Sequence, residues 1–184
     1  PDVNFQLYQT SDQSDDYDLC VSARRADMPS QPNEHQMVML EEDLYLAVPT
    51  HSPYGGRSSI RLTDTRDAGY ICLARFPPIR QIHKQPNFYG KLGNFSPRII
   101  FESDTTESVR NLIAAGMGIG FWPQYSWGPL PSEWDSQGGS PVKLLPIEGQ
   151  TCRRQITLTR SPKSLDKPIL TDFCSFLVGN SRWL

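Results

Sequence analysis

Cysteine and histidine are scarce in this sequence, and the few that occur are widely separated. The four cysteines include no C-x-x-C pair, and the three histidines are too scattered to surround a metal ion. Cysteines in this number and arrangement are typical of reduced thiols in a cytosol. We therefore expect a cytoplasmic protein without a metal site, a redox centre or any other cofactor.

The sequence also lacks long apolar runs and an excess of positive charge. No stretch approaches the roughly 18 apolar residues that a membrane-spanning helix requires. The formal net charge of −2 gives no support for nucleic-acid binding by this segment. A chain of 184 residues, 38% of them hydrophobic, is long and apolar enough to bury a core. These numbers predict a soluble globular protein with no membrane partner.

No catalytic motif is present. A hydrolase with a Ser-His-Asp triad on an α/β sheet would show a G-x-S-x-G elbow, and the sequence has none. No nucleophile in the chain is paired with an obvious base. We therefore expect that the protein is not an enzyme and has no catalytic residues.

The most organised stretch is ESDTTESVRNLIAAGMGIGFWP, at residues 102–123. Asp104 followed by Glu107 has the spacing of a capping box, which predicts the start of a helix. The apolar residues behind them recur at helical spacing on one face: Val109, Leu112 and Ile113. Gly116 is suited to the left-handed conformation that ends a helix, and residues 119–122 to a short buried strand. The stretch therefore predicts the helix and the second strand of a βαβ unit.

Strands and helices alternate along the rest of the chain. Strands are predicted at residues 2–7, 17–23, 37–40, 44–48, 69–74, 98–102, 142–147 and 155–160. The acidic residues 41–43 separate the third and fourth of these strands, and one short helix fits between Pro78 and Pro86. A last helix is predicted at residues 166–177, with these residues on its packed side: Ile169, Leu170, Phe173, Phe176 and Leu177. This alternation favours an α/β protein with parallel sheets.

In order and spacing, four segments resemble the effector-binding domain of LysR-type transcriptional regulators. EEDLYLAVPTHSPYGGRSSIRLTDTRDAGYICL (residues 41–73) is similar to the family's strand, His-Pro-like turn and Leu-Asp-Leu-like segment. Residues 102–123 look like its acidic helix start and its A-A-G-x-G-I-x-x-x-P ending. PDVNFQL and QITLTR, with the aromatic-rich last helix, stand where the family has strands and a helix. The A-A-G-x-G-I motif alone occurs widely, so the order of the four segments carries the resemblance.

The chain departs from the family pattern at several points. The strand and helix that precede PDVNFQL in the family are missing, and residues 10–16 stand where the family usually has a helix. The His-Pro dipeptide is spread out as His51-Ser52-Pro53. The chain begins with Pro1 rather than Met, so we expect its natural start to lie upstream.

The resemblance implies an α/β fold of two Rossmann-like lobes joined by two crossover strands, like the type 2 periplasmic binding proteins. We expect lobe I at residues 1–73 plus 154–184, and lobe II at residues 74–153. The resemblance also implies a small-molecule effector between the lobes, a homodimer of the domain and a tetramer of the full-length protein. DNA would be bound only through a helix-turn-helix outside this chain. Candidates for the dimer face are residues 109–115 and 17–23.

In that arrangement the start of the predicted helix faces the cleft. The residues expected to contact the effector are Thr50, Arg75, Phe76, Ser103, Thr105, Thr106, Phe121 and Trp122. A helix N-terminus favours an anion, but Glu102, Asp104 and Glu107 oppose one. We therefore expect a hydroxyl- or amide-bearing ligand as readily as a carboxylate, which Arg75 would bind bidentately.

Simpler interpretations stay open for these residues and for the whole chain. Thr105 and Thr106 fit the start of a helix equally well, Arg75 fits a surface position, and Phe121 and Trp122 are of types found more often in cores. A solute-binding protein of a transporter shares the two-lobe plan but would carry a secretion signal. A hydrolase or transferase would need a nucleophile in the cleft. A helix-turn-helix in the sequence upstream would identify a regulator.

Overall fold

Seven β-strands and two α-helices make up the part of the chain that the computed structural model describes, so strands outnumber helices there and the alternation expected from the sequence is limited to the strand, helix and strand at residues 98–123. That part comprises residues 17–26, 35–73, 97–128, 140–149 and 152–180, together with Asn4 and Gln6. Its strands are β1 (Leu19–Arg25), β2 (Gln36–Pro49), β3 (Gly69–Leu73), β4 (Arg98–Ser103), β5 (Gly120–Pro123), β6 (Val142–Leu145) and β7 (Arg153–Arg160). Its α-helices are α1 (Thr106–Ala114) and α2 (Pro168–Asn180), and short 3-10 turns cover Leu62–Thr65 and Pro162–Ser164.

The strand β2 belongs to two sheets. Its first part, residues 36–43, pairs antiparallel with β7, and β7 in turn pairs antiparallel with β1. Its last part, residues 44–49, pairs antiparallel with β5 and with β6. We call β1–β7–β2 the first sheet, and the sheet around the last part of β2 the second sheet. β2 and β7 are therefore the strands at which the chain passes between the two sheets.

The two strands predicted at residues 37–40 and 44–48 are in fact this one strand of 14 residues. The acidic residues expected to separate them stay in the strand because β7 presents matching partners. Asp43 lies opposite Arg153, and the Arg153 Nε donates to the Asp43 Oδ1 at 2.9 Å. Glu42 lies opposite Arg154, and their side chains form an ion pair. Opposite charges across a ladder stabilise a strand that its own composition would interrupt.

The second sheet extends beyond β2 through parallel strands. β3 pairs parallel with β4, and an isolated parallel bridge joins Tyr70 of β3 to Ile119, just before β5. The resulting order is β4–β3–β5–β2–β6, in which β2 runs against its neighbours. The parallel pairing expected from the sequence is thus found around β3, while every described pairing of β2 is antiparallel.

The predicted βαβ unit is present as β4, α1 and β5, but its helix cap differs from the prediction. Thr105, not Asp104, is the N-cap: its backbone is extended, and its Oγ1 accepts the backbone N–H of Ser108 at 3.2 Å. Glu107 does not close a capping box and instead lies 3.8 Å from Arg110, one turn further on. The cap falls to Thr105 because that residue is the last one in extended conformation before the helix.

The glycines after α1 let the chain lie directly against β3. Gly116 has a φ of 77°, the left-handed conformation predicted for the end of the helix. A Cβ on Gly118 would lie 2.7 Å from the carbonyl oxygen of Gly69, and one on Gly120 would lie 2.8 Å from that of Ile71. The G-M-G-I-G segment is therefore a packing requirement, since two of its positions have no room for a side chain.

Two hydrophobic clusters pack against the second sheet, one on each of its faces. The larger contains Leu46, Val48, Ile60, Leu62, Tyr70, Cys72, Ile119, Phe121 and Leu145. The other contains Ala47, Ile71, Val109, Ile113, Trp122 and Val142. The packed face predicted for α1 is confirmed, because Val109 and Ile113 are buried and Leu112 packs against the same cluster.

The packed face predicted for α2 is confirmed only in part, since Phe173 is half-buried as expected but two other residues of that face are exposed. Ile169 and Phe176 are 46% and 62% exposed, whereas Cys174 is only 3% exposed. Leu170 and Leu177 are half-buried. With Cys174 they form a line at helical spacing. The packed face of α2 is therefore centred on this small residue, and the large Phe176 side chain faces the solvent.

Several predicted elements fall on residues that the structure does not describe. The strand at residues 2–7 lies almost wholly outside the described residues, and the short helix between Pro78 and Pro86 lies entirely outside them. Within the described ranges, no helix is long and apolar enough to cross a membrane. Those ranges likewise contain no group of three or more His, Cys, Asp or Glu side chains arranged to hold a metal ion.

Candidate functional site

The parallel strands of the second sheet end side by side. Leu73, the last residue of β3, pairs with Ser103, the last residue of β4. β5 ends at Pro123, which lies opposite Leu44 of β2. We call this the carboxyl end of the second sheet, defined by Leu73, Ser103 and Pro123. Ligands of open α/β sheets bind beyond the carboxyl ends of their strands.

Ser103 and Thr105 carry hydroxyls at this end, and both hydroxyls take part in shaping the start of α1. The Ser103 Oγ accepts the backbone N–H of Thr105 at 3.3 Å. The Thr105 Oγ1 accepts the backbone N–H of Ser108 and donates to the Ser108 Oγ at 2.8 Å. Thr106 follows as the first helical residue and is half-buried. The segment is therefore a hydrogen-bonded turn that carries hydroxyls at the start of α1.

The electrostatics of this helix start are mixed. The backbone N–H groups of Thr106 and Glu107 have no acceptor within the helix and point out of its first turn, where they favour negative charge. Glu102, Asp104 and Glu107 bring three exposed carboxylates to the same place. The nearby cation Arg110 lies within 3.8 Å of Glu107. The arrangement suits a polar ligand that accepts from backbone N–H groups and donates to carboxylates.

Thr50 lies at the opposite end of the second sheet. β2 runs against β5 and β6, so its last residues lie beside the first residues of those strands. The Thr50 backbone N–H and its hydroxyl both donate to the carbonyl oxygen of Pro141, at 3.0 and 3.2 Å. The structure therefore does not bring Thr50 together with Ser103, Thr105 and Thr106, and its hydroxyl holds a turn.

Phe121 and Trp122 are core residues. Phe121 is 6% exposed, and its ring centroid lies 5.8 Å from that of Tyr70. Trp122 is 2% exposed and makes an edge-on contact with Trp127 at 5.1 Å. Neither ring has surface to offer a ligand, which agrees with the simpler of the two interpretations made from the sequence.

Arg75 and Phe76 lie outside the described residues. β3 ends at Leu73, beside Ser103, and these two residues follow in the sequence shortly after that end. Their part in a site stays a prediction.

Reasoning from the sequence missed a densely hydrogen-bonded polar group of the described structure, which lies at the same end of the second sheet. The Glu42 Oε2 accepts the backbone N–H groups of Tyr125 and Ser126, both at 2.9 Å. The Glu42 Oε1 accepts the Ser126 hydroxyl at 2.7 Å and the Arg154 Nε at 2.5 Å. The Arg154 Nη2 also donates to the Ser126 Oγ, and its guanidinium lies 5.7 Å from the Trp127 ring centroid.

This group is buried and charged. The side chains of Glu42 and Arg154 are 0% and 2% exposed. Burial by itself would raise the pKa of the Glu42 carboxyl, but hydrogen bonds from Ser126 and Tyr125 and the charge of Arg154 outweigh it, and the pKa is lowered. Burial lowers the pKa of the Arg154 guanidinium, while Glu42 opposes that shift. A signal was present in the sequence, since the acidic run EED at residues 41–43 and the basic run at residues 153–154 both lie directly beside predicted strands and carry opposite charges.

Comparison with known proteins identifies relatives over most of the chain. The family model of the LysR substrate binding domain matches residues 1–182. The chain is 28% identical over 130 residues to the uncharacterized HTH-type transcriptional regulator YybE of Bacillus subtilis, covering 67% of this chain and 42% of the relative. It is 21% identical over 141 residues to the transcriptional dual regulator GltC of the same bacterium, covering 77% and 44%. The chain thus spans less than half the length of these relatives.

Solved structures share the fold. The effector binding domain of QuiR in complex with shikimate has a TM-score of 0.66 at 20% identity, over 90% of this chain and 72% of that one. The regulatory domain of Synechocystis CcmR in complex with 2-PG has a TM-score of 0.67 at 21% identity, over 91% and 74%. These likenesses confirm the predicted α/β fold of two lobes.

Proposed function

Because the chain belongs to the LysR substrate-binding domain family, and is thereby the effector-binding domain of a transcriptional regulator, we propose that it senses a small polar molecule in the cleft between its lobes. The observation that supports this most is the hydroxyl-bearing start of α1 at the carboxyl end of the second sheet. The QuiR and CcmR domains, each in complex with a small molecule, support a ligand of that kind here.

The packing favours a lobe boundary different from the one expected after residue 73. Leu46, Ile60 and Tyr70 share one hydrophobic cluster with Phe121 and Leu145. The partner of β2 changes between residues 43 and 44. We therefore place lobe II at residues 44–152, and lobe I at the residues before and after them.

The proposed effector site consists of Ser103, Thr105 and Thr106, with Arg75 and Phe76 added from the sequence. Thr50, Phe121 and Trp122 are left out because of their positions in the second sheet. Exposed carboxylates beside the helix start favour an effector with hydroxyl or amide groups. A carboxylate on the effector would be bound through Arg75 and the first-turn N–H groups.

The remaining parts of the proposal concern the whole protein. We propose that it is cytoplasmic, that it is not an enzyme, and that it binds DNA only through a helix-turn-helix outside this chain. The domain would form a homodimer and the full-length protein a tetramer, with residues 17–23 and the outer side of residues 109–115 in the dimer face, since Val109 and Ile113 are buried within the domain. Sedimentation that shows a strict monomer at high concentration would contradict the assembly.

A thermal-shift screen of small metabolites, followed by titration of the compound that raises the melting temperature, tests the site. Thr106→Val removes a half-buried hydroxyl and leaves the Thr105 cap in place. We expect it to weaken binding by about 1–3 kcal/mol, roughly five- to a hundredfold. Thr50→Val, at the far end of the sheet, is the matched control and should bind as the wild type does. Equal affinity for all three proteins would show that the effector binds elsewhere.

A further inference from the structure

The chain crosses between the two sheets twice, once in β2 and once where β7 begins, and the two crossings lie directly opposite each other. β2 exchanges its partner β7 for β5 and β6 between Asp43 and Leu44. β7 begins at Arg153, directly opposite Asp43. The pair Glu42 and Arg154 is thus the next pair inside the first sheet, immediately before the crossing.

The residues Glu42, Ser126, Trp127 and Arg154, which we call the hinge cluster, connect three chain segments at this level. Glu42 comes from β2, Arg154 from β7, and Ser126 and Trp127 from the turn that follows β5 in the second sheet. Four donors converge on the Glu42 carboxylate: two backbone N–H groups and one hydroxyl from the turn, and the Arg154 guanidinium.

Backbone hydrogen bonds add to these contacts on either side of the cluster. The Gln124 N–H donates to the carbonyl oxygen of Asp43 at 2.9 Å, and the Leu44 N–H to that of Cys152 at 2.8 Å. The turn after β5 is therefore held on β2 by main-chain and side-chain bonds together. A movement of the second sheet relative to the crossing strands would have to break them.

The chemistry of the cluster indicates that it orients the turn after β5 on the crossing strands rather than raising the stability of the domain. A buried ion pair contributes little net stability compared with apolar residues of the same volume, because desolvation offsets the attraction between the charges. Its hydrogen bonds, however, are directional and strong when the acceptor is charged. An apolar pair would fill the space equally well but would not fix the angle at which the turn meets the strands.

We propose that the hinge cluster locks the second sheet in one orientation relative to the first. Ser126 is the bridging residue, since its hydroxyl and its N–H both reach Glu42 while its Oγ accepts from Arg154. The proposal rests on the contacts alone and requires no effector.

The distance between the two sheets, measured by electron spin resonance, tests the proposal. Nitroxide labels are attached at Val38→Cys on the first-sheet part of β2 and Met117→Cys after α1, which are 43% and 45% exposed. The labelled protein is diluted with an excess of unlabelled protein, so that only distances within one chain are measured. The half-buried Cys20 is replaced by serine, while Cys72, Cys152 and Cys174 are buried and do not compete for the label. The wild-type hinge should give one narrow distance distribution.

Two variants remove the lock in different ways, and a third serves as the control. Glu42→Leu with Arg154→Met replaces the ion pair by apolar residues, and Ser126→Ala removes only the bridging hydroxyl. Arg153→Met breaks the neighbouring ion pair with Asp43, whose side chains are 45% and 47% exposed. We expect the first two to broaden or split the distance distribution and the third to leave it narrow.

The melting temperature of each variant shows whether a broadened distance distribution comes from a lost orientation of the sheets or from a less stable fold. The double variant should melt close to the wild type while its distance distribution broadens, a combination that a purely structural role would not produce. A narrow distribution in Ser126→Ala overturns the proposal, and so does equal broadening in Arg153→Met. Should the double variant fail to fold, Ser126→Ala decides alone, because Ser126 lies in an exposed turn and the ion pair stays intact.

Discussion

The Thr105 hydroxyl accepts the backbone N–H of Ser108 at 3.2 Å, so a residue of the proposed effector site also holds the first turn of α1. Thr105→Val should therefore lower the free energy of unfolding by about 1 kcal/mol, the usual effect of losing an N-cap. Urea unfolding followed by circular dichroism measures the loss. Thr105→Ser keeps the cap and should be nearly neutral. Unchanged stability of Thr105→Val would show that Asp104 takes over as the cap.

Glycines 118 and 120 should tolerate no side chain. In Gly118→Ala and Gly120→Ala the new Cβ would lie within 2.8 Å of a β3 carbonyl oxygen, so the strands must move apart. We expect each substitution to cost about 1–3 kcal/mol in the free energy of unfolding. Gly179→Ala is the control, because a Cβ there meets no atom within 4 Å and the position is helical. A control that loses as much stability would refute this explanation.

Glu42 should make stability depend on acid pH. Its pKa is lowered below the ordinary value of 4.5, so the folded protein binds this proton less readily than the unfolded chain does. The stabilisation is complete above the unfolded pKa and is lost as the pH falls through the folded value, from about pH 5 downwards. Glu42→Gln should lose less of its stability than the wild type over that range. The free energy of unfolding of both proteins is measured by chemical unfolding at pH 7 and pH 4. An equal loss in the wild type and in Glu42→Gln would contradict the assignment.

Phe176 should contribute little to the stability of the domain despite its size. Its side chain is 62% exposed on α2, so Phe176→Ala is expected to change the free energy of unfolding by less than about 1 kcal/mol. Leu158→Ala, at a fully buried position of β7, should cost about 2–5 kcal/mol and serves as the comparison. A large loss in Phe176→Ala would mean that another surface covers this ring in solution.

The isolated chain should not bind DNA specifically. Its formal net charge is −2, and the proposed function assigns DNA binding to a helix-turn-helix outside this chain. A gel-shift assay with the regulator's own promoter fragment should show no sequence-dependent retention, while a longer protein that includes the upstream region should show it. Tight, sequence-dependent retention of the isolated chain would contradict the prediction.

The sequence predicted best the features that depend on neighbouring residues. The βαβ unit at residues 98–123 follows from local periodicity and from glycines in fixed positions, and it was found there. The continuity of β2 depends on charges in β7, more than a hundred residues later, which no local pattern contains. The end of the second sheet at which Thr50 lies depends on the direction of β2, and that direction is known only from the pairing of β2 with β5.

Other differences arose from choices between adjacent, chemically similar residues. Asp104 and Thr105 are both good N-caps, and the backbone conformation at Thr105 decides between them. On α2, hydrophobicity favoured burial of Phe176, but the contact surface is formed around Cys174. In both cases a shift of one or two residues on a helix changes which side chain is available at the surface.

The pairing of β2 with β7 also determines what kind of movement the domain can make. Residues 36–43 and 153–159 form an antiparallel ribbon at the junction of the two sheets. Sliding one strand along the other by a single residue would turn every side chain to the wrong face, whereas the twist between neighbouring strands varies from about −10° to −35° among sheets. A rearrangement between the lobes would therefore be a rotation about this ribbon. A signal passing from one lobe to the other would be transmitted as a rotation of the paired strands β2 and β7.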